Sequence, residues 1–286
     1  MLREPLESTP DETWWQRPMP DDLLVWFSEH MADLMPAASA AQAEMLRGWL
    51  DPPPGAILLE VACGEGRYAI PLAKAGYRVM ALDYHANVLA FGKRRAEAEG
   101  VRLEWLEGDM RGFQVPRTAD VALCTRGFGM FATDAEHRRT LQAINMALKT
   151  GGKLFIDVPN RDCQFLLTPE TSYMDIDGAV AMLTRSFDLW TSRMHYEIKV
   201  RRPDSTEMVL KVDLRLYTLA EMVTMLQETG FHIDYINGSL ESPEGFEPVM
   251  SARIGFMCTK QVDALKPARP GAPPPRPPGP PAPTRR

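Results

Sequence analysis

The stretch from Ile57 to Leu72, ILLEVACGEGRYAIPL, carries the strongest structural information in the chain. Branched apolar residues run into Glu60, as in a buried strand, and a helical pattern begins after Gly64 and Gly66. Glycines at a strand-to-helix turn let a ligand approach the backbone, and the start of the helix offers unpaired N–H groups. The stretch therefore predicts a ligand site at the carboxyl end of a buried strand.

The acid at the end of this strand indicates which kind of ligand binds there. A dinucleotide-binding loop would need the pattern G-x-G-x-x-G, whereas here Gly66 is followed by Arg67, Tyr68 and Ala69. A carboxylate at Glu60 would repel a pyrophosphate but could hold a cationic amino acid moiety. The loop therefore predicts a cationic, phosphate-free nucleoside as the ligand.

Two further acids follow the next two predicted strands. Asp83 ends the second strand 19 residues after Gly64, which is the position from which a carboxylate accepts both ribose hydroxyls. The third strand runs into Gly108-Asp109-Met110. Here the Asp109 carboxylate could accept a hydrogen bond from an adenine amino group, and Met110 could pack on the ring.

The composition is that of an ordinary globular protein, with 286 residues, of which 45% are hydrophobic and 24% charged. No apolar run approaches the roughly 18 to 20 residues that span a bilayer, and the N-terminus lacks the layout of a secretion signal. We therefore expect a cytoplasmic protein that does not bind membranes.

Charge and cysteine usage exclude two further classes. The net charge is −6, and because residues 267–286 carry four arginines and no acid, the rest of the chain has a net charge of −10. A body this acidic repels phosphate backbones, so we predict no nucleic-acid partner. The four cysteines form no CxxC pair, and no His, Cys or carboxylate cluster has metal-ligand spacing. We therefore predict no metal site.

The middle of the chain alternates between strand-like and helical patterns, which predicts a doubly wound α/β fold with a parallel sheet. We expect strands at 56–62, 77–83, 101–106, 120–125 and 153–158, and helices at 67–75, 86–99 and 134–148, with a local bend at Pro71. The predicted units are an N-terminal helical cap (1–50), a main domain (51–260) and a disordered Pro/Arg-rich tail (261–286).

Within the main domain, residues 161–217 are predicted to form an antiparallel β insertion, since period-two alternation covers 194–200 and 208–216 with a turn at 202–205. A helix at 218–229 and strands at 231–236 and 251–259 complete the domain. The insertion is also a candidate surface for a homodimer.

At this point a family resemblance is clear. Residues 56–160 resemble a class I S-adenosylmethionine-dependent methyltransferase. The similarity runs through LEVACGEGR, VMALD, EGDMRGF, LCTRGFGMF, ALKTGGKLFIDVPN and LYTLAEMVTMLQETGF. It implies a Rossmann-like seven-stranded sheet with an antiparallel last strand, and S-adenosyl-L-methionine as the cofactor.

The resemblance also implies roles for individual residues at the cofactor. It places four residues of the first loop around the methionine part, assigns the ribose to Asp83 and the adenine amino group to Asp109, and puts Tyr84 and Met110 beside the ring. Thr125, at the end of the fourth strand, joins the cofactor-binding set. The four residues of the first loop are Glu60, Ala62, Gly64 and Gly66, where Ala62 replaces the more usual first glycine.

The fourth strand end, Thr125 to Phe131, faces the reacting methyl group in this family. Many relatives have Asn-Ser-Phe-Gly-Tyr-Phe there, whereas this chain has Arg126-Gly127 in place of Asn-Ser and Met130 in place of Tyr. Arg126 could clamp a substrate carboxylate or could pair with Asp157 or another acid, and the sequence leaves both interpretations open.

The insertion supplies further candidates for substrate contact or proton removal, namely His195, Tyr196 and Tyr173. Because side chains alternate along a strand, His195 and Tyr196 cannot both enter one pocket. Of these residues, His195 is the catalytic candidate. Trp14 and Trp15 could form an aromatic lid, while Trp26 and Phe27 are expected to pack as helix residues.

The sequence thus predicts an enzyme that methylates O or N of a small, specialised metabolite by in-line transfer. Two alternatives stay open: methylation of a protein or other macromolecule, and use of the cofactor without methyl transfer, by a non-methylating catalyst or a binder. Catalysis is expected to rest mainly on alignment of the reactants.

Overall fold

The computed structural model describes residues 14–17, 36–167, 171–176, 179–202, 204–241 and 245–261. Short 3₁₀ turns cover Trp14–Gln16 and Ser239–Glu241. The helices are α1 (Pro36–Leu50), α2 (Ala69–Lys74), α3 (Ala86–Ala98), α4 (Asp134–Ala147), α5 (Arg161–Leu167) and α6 (Leu219–Glu228). The strands are β1 (Ile57–Val61), β2 (Arg78–Asp83), β3 (Glu104–Glu107), β4 (Ala119–Cys124), β5 (Leu148–Pro159), β6 (Thr171–Ile176), β7 (Ala179–Asp188), β8 (Arg193–Arg201), β9 (Glu207–Arg215), β10 (Phe231–Asn237) and β11 (Arg253–Lys260).

The main sheet has seven strands in the order β10-β11-β5-β4-β1-β2-β3. Strands β1 to β5 are parallel to one another, and β11 runs antiparallel to both β5 and β10. The predicted doubly wound sheet with an antiparallel last strand is therefore confirmed. The strand order reverses between β1 and β4, and ligands bind at such a switch point, outside the carboxyl ends of the strands.

Alternate residues of β1 belong to separate hydrophobic cores on the two faces of the sheet. Leu59 and Val61 are buried in the core that contains residues of α4 and α6, whereas Leu58 is buried with residues of α1 and α2. Burying a leucine side chain contributes roughly 1.5–3 kcal/mol to stability. By the same alternation, Glu60 lies on the α1 and α2 face, although its side chain is charged in water.

The helix ends follow the local sequence. Thr133 and Glu136 form the predicted capping box at the start of α4, and the predicted box before α6 is also present. Helix α2, which was predicted at 67–75, begins at Ala69. Pro71 therefore lies in its first turn, where the missing N–H costs little. No internal bend is therefore needed at Pro71.

The antiparallel insertion forms a second sheet of four strands in the order β6-β7-β8-β9. Strands β8 and β9 match the two predicted alternating segments, whereas the sequence interpretation missed α5, β6 and β7 as separate elements. The backbone of β9 connects this sheet to the main domain, because the Arg215 N–H donates to the Gly129 carbonyl oxygen at 2.8 Å. The insertion therefore borders the carboxyl-end loops of the main sheet.

Parts of the predicted cap and tail lie outside the described residues. The structure describes 14–17 and 36–50 of the cap, and position 261 of the tail. The predicted unit boundaries, and the homodimer through the insertion, stay predictions. Among the described residues, no helix has both the length and the apolar character required to cross a membrane.

Candidate active site

A cavity of about 590 Å³ lies at the carboxyl ends of β1, β2 and β3. Its volume is in the range typical of small-molecule sites. One side is formed by strand-end residues of the main sheet, the opposite side by β9, and a third side by the Trp14–Gln16 turn. The lining residues are Trp14, Trp15, Arg17, Ala62, Leu82, Asp83, Tyr84, His85, Val88, Gly108, Asp109, Met110, Met130, Phe131, Val209, Leu210 and Lys211.

The loop after β1 has an unusual backbone that brings it close to this cavity. Ala62, Gly64 and Gly66 have φ angles of 56°, 56° and 81°. A Cβ on Gly66 would lie 2.8 Å from a ring carbon of Trp105, so packing requires glycine there. A Cβ on Gly64 would meet no described atom within 4 Å, so its surroundings are open. Gly64 thus leaves room for a ligand next to the main chain.

Asp83 joins the end of β2 to the glycine loop. Its Oδ2 accepts a hydrogen bond from the Gly64 N–H at 2.8 Å, and its Oδ1 accepts one from the His85 N–H at 3.0 Å. These two bonds fix the carboxylate at the wall of the cavity. Each oxygen has a second lone pair, so Asp83 can still accept hydrogen bonds from a ligand diol.

Glu60 is the most unusual acid of the site. Its side chain is only 2% exposed. The carboxylate accepts a hydrogen bond from the Ala69 N–H, but Oε2 is buried without a hydrogen-bond partner among the described residues. Burial, aided by the nearby negative charges of Glu65 and Asp83, raises the pKa of Glu60 to about 8 despite the hydrogen bond from Ala69. A buried carboxyl group with an unpartnered oxygen and a raised pKa favours a cationic partner.

Asp109 and Arg111 form a pair on the other side of the cavity. Asp109 Oδ1 accepts from the Arg111 N–H at 2.8 Å, and Oδ2 accepts from Arg111 Nη2 at 2.6 Å. Burial alone would raise the pKa of Asp109, but these hydrogen bonds outweigh it and lower the pKa. An adenine amino group would share Asp109 with Arg111, so the predicted adenine contact stays a prediction.

The Trp14–Gln16 turn closes one side of the cavity. The Trp15 ring makes edge contacts with Tyr84 and Phe131, both at 5.1 Å between centroids. The guanidinium of Arg111 lies over the rings of Trp15 and Phe131, at 4.8 and 4.7 Å. The predicted aromatic lid thus has Trp14 and Trp15 as cavity residues, whereas Trp26 and Phe27 lie outside the described residues.

Thr125 and Arg126, which follow β4, differ in solvent exposure. Thr125 is buried, and Arg126 is exposed with a φ of 58°. The Arg126 N–H donates to Asp157 at 2.8 Å, while the guanidinium of Arg253 pairs with the same carboxylate at 2.8 Å and 2.9 Å. The Arg126 side chain instead forms a hydrogen bond with Tyr68. Its role as a substrate clamp stays a prediction.

The three candidates in the insertion lie apart from one another. His195 shares a face with Asp213, and its Nδ1 lies 3.7 Å from Asp213 Oδ1. Tyr196 points to the opposite face, and burial raises its pKa. Tyr173 lies on β6 and is 68% exposed. None of the three is among the described residues that line the cavity, and their roles stay predictions.

Other residues of the site were missed from the sequence. Arg111 lies two positions after Asp109 within EGDMRGF, so its spacing could have indicated the pair. His137 lies within the helix predicted at 134–148, and the sequence assigned it no role in the site. It is fully buried in α4, its Nε2 accepts from the Phe131 N–H at 3.1 Å, and burial lowers its pKa to about 3. No local sequence signal distinguishes it from an exposed helical histidine.

Comparison with known proteins agrees with this geometry. Residues 58–152 match the family described as "Methyltransferase domain". This segment is therefore similar to a methyltransferase domain, and it contains most of β1 and all of β2 to β4 of the main sheet. The chain is 33% identical over 105 residues to the cypemycin N-terminal methyltransferase of Streptomyces sp., an alignment that covers 36% of this chain and 42% of the relative. The chain spans about half the length, or less, of the curated relatives that it matches.

Two solved structures show the same fold over most of this chain. The CcbJ methyltransferase from Streptomyces caelestis superposes with a TM-score of 0.70 at 17% identity, covering 80% of this chain and 91% of that one. CalS10 from Micromonospora echinaspora, an amino pentose methyltransferase solved with S-adenosylmethionine bound, superposes with a TM-score of 0.59 at 20% identity. That alignment covers 78% of this chain and 90% of CalS10.

The residues present fit S-adenosyl-L-methionine, the ligand bound in the CalS10 structure. The unpartnered buried oxygen of Glu60 suits its cationic amino group, and the open space at Gly64 admits a ligand against the backbone. Asp83 lines the cavity and has lone pairs left for ligand hydroxyls, and its role at the ribose stays a prediction. The fit rests on the charge of Glu60, the space at Gly64 and the hydrogen-bonding capacity of Asp83.

We expect a chelator to leave methyl transfer unchanged. No group of three or more His, Cys, Asp or Glu side chains within the described part of the chain could hold a metal ion. Activity should be measured after dialysis against EDTA, with and without added magnesium. Activity that is abolished by the chelator and restored by magnesium would contradict this prediction.

Proposed function

We propose that this chain transfers a methyl group from S-adenosyl-L-methionine to an oxygen or nitrogen atom of a small, specialised metabolite. The observation that carries the proposal is the continuous cavity, which runs from the acids of the cofactor site to the Trp14–Gln16 turn and β9. A largely apolar cavity of this size, with aromatic side chains on its walls, suits a small acceptor better than a polymer segment.

The residues of the chain would act mainly by binding and orientation. When bound, S-adenosyl-L-methionine supplies the reactive methyl group and the leaving group. Glu60 and Asp83 would hold its two ends, and the walls around Trp15 and Phe131 would exclude water. Holding a nucleophile in line with the methyl group can contribute several kcal/mol to the rate.

The chemistry of the walls supports an acceptor with an apolar or ring-shaped body. Met130, Val209 and Leu210 continue the apolar surface away from the cofactor acids, and Lys211 adds a cationic rim. The similarity in fold to an amino pentose methyltransferase makes a nitrogen acceptor a reasonable first choice.

The decisive experiment uses purified protein, methyl-labelled cofactor and a panel of small amines and alcohols, including amino sugars. S-adenosylhomocysteine and a labelled small product, both absent with the cofactor-site variant Asp83→Ala, would support the proposal. Label that appears in protein from an extract would instead favour a macromolecular acceptor. Cofactor binding without any transfer would favour the binder alternative.

We expect His195→Ala to lower turnover by less than tenfold. His195, on β8, lies near Asp213 of β9 but is absent from the described cavity lining. Alignment of the reactants, rather than proton removal, should therefore dominate catalysis. Steady-state turnover with a substrate identified in the panel measures the effect, with cofactor affinity as a check on the fold.

General acid–base catalysis typically contributes about 10² to 10⁴ in rate. A loss of about 10³ in His195→Ala with intact cofactor binding would therefore identify His195 as the base. Tyr196→Phe, which alters the opposite face of the same strand, is the matched control.

A further inference from the structure

A buried ion pair in the insertion connects two walls of the cavity. Arg193 and Asp213 are each only 6% exposed, and Arg193 Nε donates to Asp213 Oδ1 at 2.7 Å. They lie on neighbouring strands β8 and β9, just outside the cavity lining. Asp213 Oδ2 is buried and has no hydrogen-bond partner among the described residues.

Arg193 extends from this pair to the loop that follows β4. Its Nη1 donates to the carbonyl oxygens of Phe131 and Ala132, at 3.1 and 3.3 Å. Phe131 lines the cavity, and the next residue toward the N-terminus, Met130, does so too. One guanidinium therefore fixes the main chain of the loop that the methyl group would face.

The main chain of Asp213 contacts the Trp14–Gln16 turn. The Trp14 indole Nε1 donates to the Asp213 carbonyl oxygen at 2.9 Å, across 199 residues of sequence. Trp15 follows directly and packs against Phe131, so the turn and the loop meet over the cavity. The two walls are thus held by the side chain of Arg193 and the main chain of Asp213, which are the two members of one buried pair.

The cost of such a pair argues that it has a purpose beyond stability. Two charges taken out of water are compensated only when their geometry is good and their remaining polar atoms are satisfied. Here Asp213 Oδ2 is left without a described partner. Apolar residues of similar volume would fill this space at lower cost.

We propose that Arg193 and Asp213 are positioning residues, which hold the Trp14–Gln16 turn and the 129–132 loop in place over bound cofactor. The expected effect on cofactor dissociation rests on the proposed function, whereas the expected effect on the two segments does not. This positioning role gives the insertion sheet a part in retaining the cofactor in addition to bordering the acceptor.

The test compares three variants by hydrogen exchange and by the dissociation rate of S-adenosylhomocysteine. Arg193→Lys keeps the charge but cannot reach both the Asp213 carboxylate and the two carbonyls. We expect it to speed exchange at least threefold in peptides covering 14–17 and 129–132, and to speed dissociation three- to tenfold. Trp14→Phe should speed exchange at 14–17 alone. Arg138→Lys, in the exposed Arg138–Glu228 pair, is the matched control and should change neither.

Asp213→Asn gives a second route if Arg193→Lys does not fold, because it removes the charge and keeps the carbonyl oxygen for Trp14. It should speed exchange at 129–132. Wild-type exchange at both segments in a folded Arg193→Lys or Asp213→Asn protein would overturn the inference. If wild-type protein fails to bind S-adenosylhomocysteine, the proposed function fails, whereas the exchange result still decides the role of Arg193.

Discussion

Replacing Asp83 with alanine is expected to weaken cofactor binding by about 1.5–3 kcal/mol, because two ribose hydroxyls would lose a charged acceptor. Asp83 also holds the Gly64 N–H at 2.8 Å, so the same change frees the loop next to the cofactor. Both effects act in the same direction. Calorimetric titration with S-adenosylhomocysteine measures the loss.

Asp120→Ala is the matched control for this prediction. Asp120 Oδ2 likewise accepts a hydrogen bond from a backbone N–H, that of Ile57, at 2.8 Å. Ile57 begins β1, whereas Gly64, the partner of Asp83, follows the end of β1. Asp120→Ala therefore reproduces the loss of a strand-end carboxylate without touching the cavity. Asp83→Asn should bind with intermediate affinity, since its amide oxygen can still accept one bond. Wild-type affinity in Asp83→Ala would remove Asp83 from the cofactor site.

The second large effect concerns pH. Cofactor affinity should rise by up to tenfold per pH unit from about pH 6 towards pH 8, where the raised pKa of Glu60 lies. Below this pH the carboxyl is protonated in the free protein, and it must release a proton to pair with a cationic amino group. Calorimetry in two buffers of different ionisation enthalpy should detect close to one proton released per cofactor bound at pH 7.

Glu60→Gln should abolish this proton release and weaken binding at pH 8. Glu65→Gln should move the midpoint to lower pH, since the negative charge of Glu65 helps to raise the pKa of Glu60. Proton release that persists in Glu60→Gln would assign the titration to another group.

The same pKa shift predicts a sign for stability. An unfolded glutamic acid titrates near pH 4.3, so between that pH and about 8 the native state binds more protons than the unfolded state. The free energy of unfolding of the free protein should therefore fall, by a few kcal/mol in all, as the pH rises through this window. Glu60→Gln should reduce this fall, with the difference appearing at pH 8 and not at pH 4.

Much of the main sheet could be predicted from local patterns, because β2 ends at Asp83, β3 runs into Gly108, and α4 and α6 begin at capping boxes. Asp83 and Glu60 were found for the same reason: they stand at strand ends, and the fold brings parallel strand ends together. Both boxes, at Thr133 and Thr218, were visible as local sequence.

The rest depends on contacts between distant segments, which local patterns do not contain. Arg193 belongs to the site only because β8 packs against the loop around Phe131, 62 residues earlier in the chain. His137 is an ordinary helical histidine in sequence, and its burial follows from the packing of Phe131 and Tyr217 around it. Strand β7 pairs with β8, and β6 pairs with β7, so the place of these two strands depends on partners elsewhere in the chain.

The tryptophans of the Trp14–Gln16 turn should make the intrinsic fluorescence of the protein sensitive to ligand binding. Trp14 and Trp15 border the cavity, with Trp15 under the guanidinium of Arg111, whereas Trp190 is exposed to solvent. A purine or an aromatic acceptor arriving there changes the polarity and quenching around two indoles at once. Intrinsic fluorescence, recorded in a Trp190→Phe background to remove the solvent-exposed emission, would therefore follow occupancy in real time without a label.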